Sequence, residues 1–88
     1  MPGEVDEHES LVRPDGLTVR RMRHEHSWSP RELLTAMERA SLLASGLRKT
    51  ITPNLLQHIE EKNERIPYST LCLLASALDC DPVDIRAE

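Results

Sequence analysis

Apolar residues recur every three or four positions along most of the chain, which is the spacing of an amphipathic helix. The first such segment, roughly 17–26, places Val19 and Met22 on one face and has Thr18 as a candidate N-cap. A segment at 69–78 carries an apolar stripe formed by Leu71, Leu74, Ala75 and Leu78. Repeated helical spacing with few β-branched or aromatic residues predicts an all-α fold.

The second predicted helix has signals at both ends. Ser29 and Glu32 fit a capping box, Pro30 suits the first helical position, and Gly46 is typical of a left-handed helix terminator. No helix breaker occurs between these ends. The pattern nevertheless leaves open whether residues 38–51 are helix or loop.

The third predicted helix begins with Thr52 as N-cap and Pro53 at the first position, and it ends near Lys62 with Asn63 in a left-handed conformation. Its predicted inner face is apolar, with Leu55, Leu56 and Ile59. Its outer face is polar, with Asn54, Gln57, His58 and Glu61.

The two ends of the chain are less regular. Residues 1–16 are acidic and contain the turn signal Pro14-Asp15-Gly16, which predicts a flexible acidic tail ahead of a domain at 17–88. Ile66-Pro67 is interpreted as a turn. Asp81 is predicted to cap a last short helix that directs Val83 or Ile85 inward. We therefore expect a compact domain of five helices.

Charge is distributed unevenly along this chain of net charge −4. Residues 11–49 are basic and both ends are acidic, so the middle can meet phosphates while the ends point away. The alternative is that these basic residues lie on several solvated helix faces and do not form one common binding surface. No segment has the ~20 apolar residues of a membrane span, and the acidic N-terminus does not fit a secretory signal. We expect a cytoplasmic protein with Cys72 and Cys80 reduced.

The order of these signals resembles the lambda-repressor-like (Cro/Xre) helix-turn-helix family over residues 17–85. The matching segments are Val19-x-x-Met22-Arg23, Trp28-Ser29-x-x-Glu32-Leu33, Leu56-x-x-Ile59-Glu60 and Leu74-Ala75-Ser76-Ala77-Leu78-Asp79-Cys80-Asp81-Pro82-x-x-Ile85. The resemblance implies sequence-specific DNA binding by a transcriptional regulator, expected to be a repressor, that acts as a homodimer. It also implies a structural ion pair between Arg23 and Glu60, for which Glu61 is the alternative partner.

Two features depart from the family pattern. The glycine that ends the second helix, Gly46, follows Leu33 by thirteen residues, whereas about five is usual, so this helix is extended or a loop is inserted. Asn63, or alternatively Lys62, stands where the family often has glycine. The first departure alters the turn that presents the third helix, which leaves a protein-interaction module or an antitoxin-type accessory regulator as the alternative function.

Candidate DNA-contacting residues follow from side-chain chemistry. Amides can pair with adenine and a threonine methyl can meet thymine, so the predicted base-reading residues are Thr52, Asn54, Gln57 and His58. The predicted phosphate contacts are Arg31, Arg48 and Lys49, the first at a helix N-terminus. The alternative for both sets is a solvated surface.

Other chemistry finds no support in the sequence. His24 and His26 lie two apart and cannot chelate one metal from a helix, and the cysteines show no zinc spacing. Nucleophile motifs and glycine-rich phosphate loops are absent from the sequence. We therefore expect no enzyme activity, no metal and no cofactor. The partner expected first is double-stranded DNA, with a protein partner bound through the acidic tail or the extended second helix as the alternative.

Overall fold

The computed structural model describes residues 10–87. In chain order the elements are β1 (Leu11–Val12), α1 (Gly16–Glu25), α2 (Pro30–Ser45), α3 (Pro53–Lys62), β2 (Ile66–Pro67), α4 (Tyr68–Leu78) and a 3₁₀ turn (Pro82–Ile85). The fold is mostly helical, but the prediction of five helices was wrong. Residues 10–87 contain four α-helices and a two-stranded sheet, and the predicted last helix is a four-residue 3₁₀ turn.

Aliphatic side chains from every element form one core. α2 packs mainly on α4, and α1 packs mainly on α3. The largest fully buried apolar side chains are Pro14, Val19, Leu33, Met37, Leu56, Ile59, Ile66, Leu71, Leu74 and Ile85. Trp28 is only half-buried and packs on the edge of this core. The predicted apolar stripe of α4 is confirmed, and of the two candidates near the C-terminus Ile85 is buried while Val83 is exposed.

α1 begins earlier than predicted, and Asp15 rather than Thr18 is its N-cap. The Asp15 carboxylate accepts a hydrogen bond from the Thr18 backbone N–H at 3.2 Å. The early start is possible because Gly16 has no side chain, since a Cβ there would lie 2.6 Å from the carbonyl oxygen of Glu60 and would also meet that of Ile59. The backbone of α1 at Gly16 therefore packs directly against the backbone at the end of α3.

Asn63 has two roles at this junction. Its φ of 52° places it in the left-handed region and ends α3, which is the role predicted for it. Its side-chain oxygen also accepts a hydrogen bond from the Gly16 backbone N–H at 2.8 Å. A glycine could supply the conformation but not this contact, so the structure gives a physical reason for asparagine at this position.

The predicted ends of α2 are confirmed. Ser29 and Glu32 form the reciprocal capping box, and Gly46 ends the helix with a φ of 76°. The question left open for residues 38–51 is thereby answered, because 38–45 are helical and 46–52 connect α2 to α3. The connector is anchored by Thr50, whose hydroxyl donates to the Leu34 carbonyl at 2.9 Å.

The small sheet corrects two expectations. Ile66-Pro67 is a strand rather than a turn, and it pairs antiparallel with β1 in the register Leu11 to Pro67 and Val12 to Ile66. The described part of the predicted tail is therefore held against the domain, with Val12 buried and the backbone N–H of Asp15 donating to the Ile85 carbonyl at 2.8 Å. The rest of that predicted tail, residues 1–9, lies outside the described residues.

Candidate nucleic-acid interface

The outer face of α3 is polar and exposed. The four predicted base-reading residues, Thr52, Asn54, Gln57 and His58, are all exposed, whereas Leu56 and Ile59 on the opposite face are buried. The Thr52 hydroxyl oxygen accepts from the Leu55 N–H at 3.0 Å as the helix cap. Its methyl group and hydroxyl hydrogen remain able to contact a ligand.

A cleft of about 340 Å³ lies beside this face. Its lining comes from α1, the start of α2 and α3, and consists of Arg20, Arg23, Pro30, Pro53, Leu56, Gln57, Glu60 and Glu61. Pro30 and Pro53 are the first residues of α2 and α3. Two helix N-termini therefore open onto one cleft, and each contributes a positive dipole end. Proline at the first position has no N–H, and the caps Ser29 and Thr52 bind the N–H groups of Glu32 and Leu55, so Arg31 and Asn54 carry the N–H groups left in the two first turns.

The buried wall of the cleft is the predicted pair of Arg23 and Glu60. Arg23 donates through Nε to Glu60 Oε2 at 2.7 Å and through Nη2 to Oε1 at 2.9 Å, which is a two-pronged contact. Its third nitrogen, Nη1, donates to the Trp28 carbonyl at 2.9 Å. The bond to Glu60 raises the pKa of Arg23, although burial opposes the charge. This pair ties α1 to α3 and to the loop before α2.

Glu61, the alternative partner for Arg23, faces Arg20 instead. Arg20 Nη2 lies 3.9 Å from Glu61 Oε2, and Arg20 Nε donates to Glu60 Oε1 at 3.5 Å. Glu61 also accepts from the Gln57 amide nitrogen at 3.4 Å. The two arginines of the cleft are thus matched by two carboxylates, so phosphate attraction at this surface must come from the helix ends and from Arg31.

The structure divides the three predicted phosphate contacts between two places. Arg31 is exposed in the first turn of α2, next to Pro30 of the cleft. Arg48 and Lys49 are also exposed, but they line a separate groove between the C-terminal half of α2 and α4. None of the three forms a salt bridge within residues 10–87.

Two features of this region were not predicted. Arg20 belongs to the cleft, and its position three residues before Arg23 on one helix face was the signal that could have shown it. The His26 ring stacks on Trp28 with centroids 4.2 Å apart, and its Nε2 lies 3.2 Å from the Leu78 carbonyl oxygen. The contact of His26 with Leu78 joins residues 52 positions apart and leaves no local sequence pattern.

Comparison with protein-family models, curated proteins and solved structures gives no match for this chain. Among residues 10–87, no three or more His, Cys, Asp or Glu side chains come together in an arrangement suited to a metal ion. In the same part of the chain, no helix has both the length and the apolar character needed to cross a membrane.

Proposed function

We propose that this protein binds double-stranded DNA sequence-specifically, with α3 in the major groove, and acts as a transcriptional regulator of the repressor type. The observation that carries the proposal is the convergence of the α2 and α3 N-termini on one cleft beside an exposed polar helix face. Helix N-termini bind phosphate through backbone N–H groups and their dipoles. The major groove is wide enough to accept an α-helix.

The exposed side chains of α3 suit base recognition. The amide of Gln57 or Asn54 can contact both N6 and N7 of adenine, and the Thr52 methyl group suits the methyl of thymine. Glu61 opposes close approach to phosphate and holds the Gln57 amide nitrogen. The N-terminal part of α3 therefore enters the groove more deeply than its C-terminal part.

One copy of a domain this small contacts few base pairs, so we infer that two copies bind a two-fold operator. The end of α2 offers an apolar surface for such an assembly, since Leu43 is 82% exposed and Leu47 is 54% exposed. On this proposal Arg31 contacts phosphate at the cleft. Arg48 and Lys49 contact the DNA backbone at a second place, because they lie on the other groove.

Selection from a random duplex library, followed by titration of the enriched sequence by fluorescence anisotropy, tests the proposal. We expect affinity to fall linearly with salt on a logarithmic scale, with a slope of about −0.9 per phosphate contacted. Gln57→Ala is expected to lose about 1–3 kcal/mol of discrimination at one base position. No enrichment, or binding insensitive to salt, refutes the proposal.

Two arginines on the same helix provide a matched comparison. Arg31 lies in the first turn of α2 next to the cleft, whereas Arg39 is also exposed but lines a depression with Trp28 and Thr35. We expect Arg31→Gln to reduce the magnitude of the salt slope by about 0.9 and Arg39→Gln to leave it unchanged. Equal effects of the two substitutions on the salt slope would show that each arginine acts only through the net charge of the protein and not through its own phosphate contact.

Protein binding is a second candidate function, and the apolar end of α2 is the observation that favours it. Leu42, Leu43 and Leu47 are all exposed on the extension that departs from the helix-turn-helix pattern. If this surface binds a different protein, Leu43→Gln will abolish that interaction and leave the DNA affinity of the monomer unchanged. If it joins two copies, the same variant will convert a dimer into a monomer in sedimentation.

A further inference from the structure

A groove with a volume of about 840 Å³ lies between α2 and α4. Small or apolar side chains form much of its lining, among them Ala40, Ala44, Ile51 and Leu73. Arg48 and Lys49 stand on the connector that forms one wall. No carboxylate of residues 10–87 lines the groove, although the chain as a whole is acidic.

The chain enters the described structure at the rim of this groove. The carbonyl oxygen of Ser10 accepts from the backbone N–H of Tyr68 at 3.1 Å, and Leu11 pairs with Pro67. Pro67 and Thr70 both line the groove. Because β1 and β2 are antiparallel, Ser10 lies at the end of β1 that is next to the start of α4.

The residues ahead of Ser10 have the complementary composition. Glu4, Asp6, Glu7 and Glu9 contribute four negative charges, which equals the net charge of the entire chain. Val5 lies between the first two of these carboxylates. Nine residues in extended form reach at most about 30 Å, which covers the distance across a groove of this size.

We propose that the acidic segment 1–9 binds the α2/α4 groove of its own chain, with its carboxylates against Arg48 and Lys49. In this arrangement the carboxylates form ion pairs with two cations that have no salt bridge within the described residues. The segment also covers apolar lining that is otherwise open to solvent. The proposal does not depend on DNA binding. If the protein does bind DNA, segment 1–9 competes with phosphate for Arg48 and Lys49.

The chain contains two lysines, Lys49 in the groove and Lys62 at the end of α3, so carbodiimide cross-linking of the full-length protein has an internal control. The reagent joins a lysine amine to a carboxylate in contact with it, and mass spectrometry identifies the linked peptides. We expect links from segment 1–9 to Lys49 to exceed those to Lys62 several-fold. These links should largely disappear in 1 M salt, where the screening length falls to about 3 Å.

Two outcomes overturn the proposal. One is the absence of a preference for Lys49. The other comes from cross-linking a mixture of ¹⁵N-labelled and unlabelled protein. If the Lys49 links join labelled to unlabelled peptides, the segment in the groove belongs to a second copy.

A measurement that needs no lysine chemistry compares wild type with the full-length variant E4Q/D6N/E7Q/E9Q by two-dimensional ¹⁵N NMR. We expect the amide signals of Ser41, Lys49 and Thr70 to shift and those of Asn54 and Gln57 on α3 to stay in place. Unchanged groove signals in a folded variant would contradict the docking. The α3 signals serve as the control for a general effect of net charge.

Discussion

Replacing Glu60 by leucine tests whether the buried ion pair holds α1 against α3. The Arg23 and Glu60 side chains are 8% and 5% exposed and are joined by bonds of 2.7 and 2.9 Å. Leucine removes both acceptors and leaves the guanidinium with only the Trp28 carbonyl, at 2.9 Å. Removing one partner of a buried pair costs about 3–5 kcal/mol, because the remaining charge stays desolvated.

Urea unfolding, followed by helical circular dichroism and by the fluorescence of Trp28, measures this cost. The double variant Arg23→Met/Glu60→Leu should recover most of the loss, because no uncompensated charge is then buried. Arg20→Met is the matched control, since Arg20 contacts the same carboxylate at 3.5 Å but is 43% exposed. Its expected cost is below about 1 kcal/mol.

Two results would refute this account of the pair. A Glu60→Leu cost as small as that of Arg20→Met would show that water reaches the guanidinium and that the contact behaves as a surface pair. A double variant no more stable than Glu60→Leu would show that the loss comes from packing rather than from the unpaired charge. In either case the rigid placement of α3 would need another explanation.

Three further predictions concern local features. Gly16→Ala should lower the free energy of unfolding by about 1–3 kcal/mol, since the new Cβ meets backbone carbonyls of α3. Gly46→Ala has open space around the new Cβ and should cost about 1 kcal/mol from the positive φ alone. Similar urea midpoints for the two variants would contradict the close approach of α1 to α3. Ser29→Ala should lose about 1 kcal/mol by removing half of the α2 capping box, and a thermal midpoint equal to that of wild type would argue against it. Burial, and next the charges of Asp84, Asp81 and Asp79, raise the pKa of the Cys80 thiol above its ordinary 9.0, so its contribution to stability is complete below pH 9 and is lost as pH rises through the raised pKa. Urea titrations at pH 7 and pH 10 should therefore show a smaller alkaline loss for Cys80→Ala than for wild type, and equal losses would contradict the shift.

Local sequence signals marked both ends of the two helices that build the proposed interface, although they left residues 38–51 open as helix or loop. Ser29, Pro30 and Gly46 bound α2, and Thr52 and Asn63 bound α3, because capping depends on side chains within three or four residues of the helix end. The polar outer face of α3 also follows from its own period. These features required no knowledge of the rest of the chain.

Long-range contacts decided what the sequence could not show. The pairing of Leu11–Val12 with Ile66–Pro67 joins segments more than fifty residues apart, and two-residue strands carry no periodicity of their own. The contact of Gly16 with the end of α3 likewise joins residues 47 positions apart, whereas the N-cap Asp15 was a local signal that the prediction missed.

The separation of Arg31 from Arg48 and Lys49 has the same origin. All three residues are exposed cations near helix ends, and their sequence context alone gives no means of assigning them to different surfaces. The packing of α2 on α4 creates the second groove and places Arg48 and Lys49 on it. Composition and spacing determine which helices form, whereas the burial of their apolar faces determines which charges share a surface.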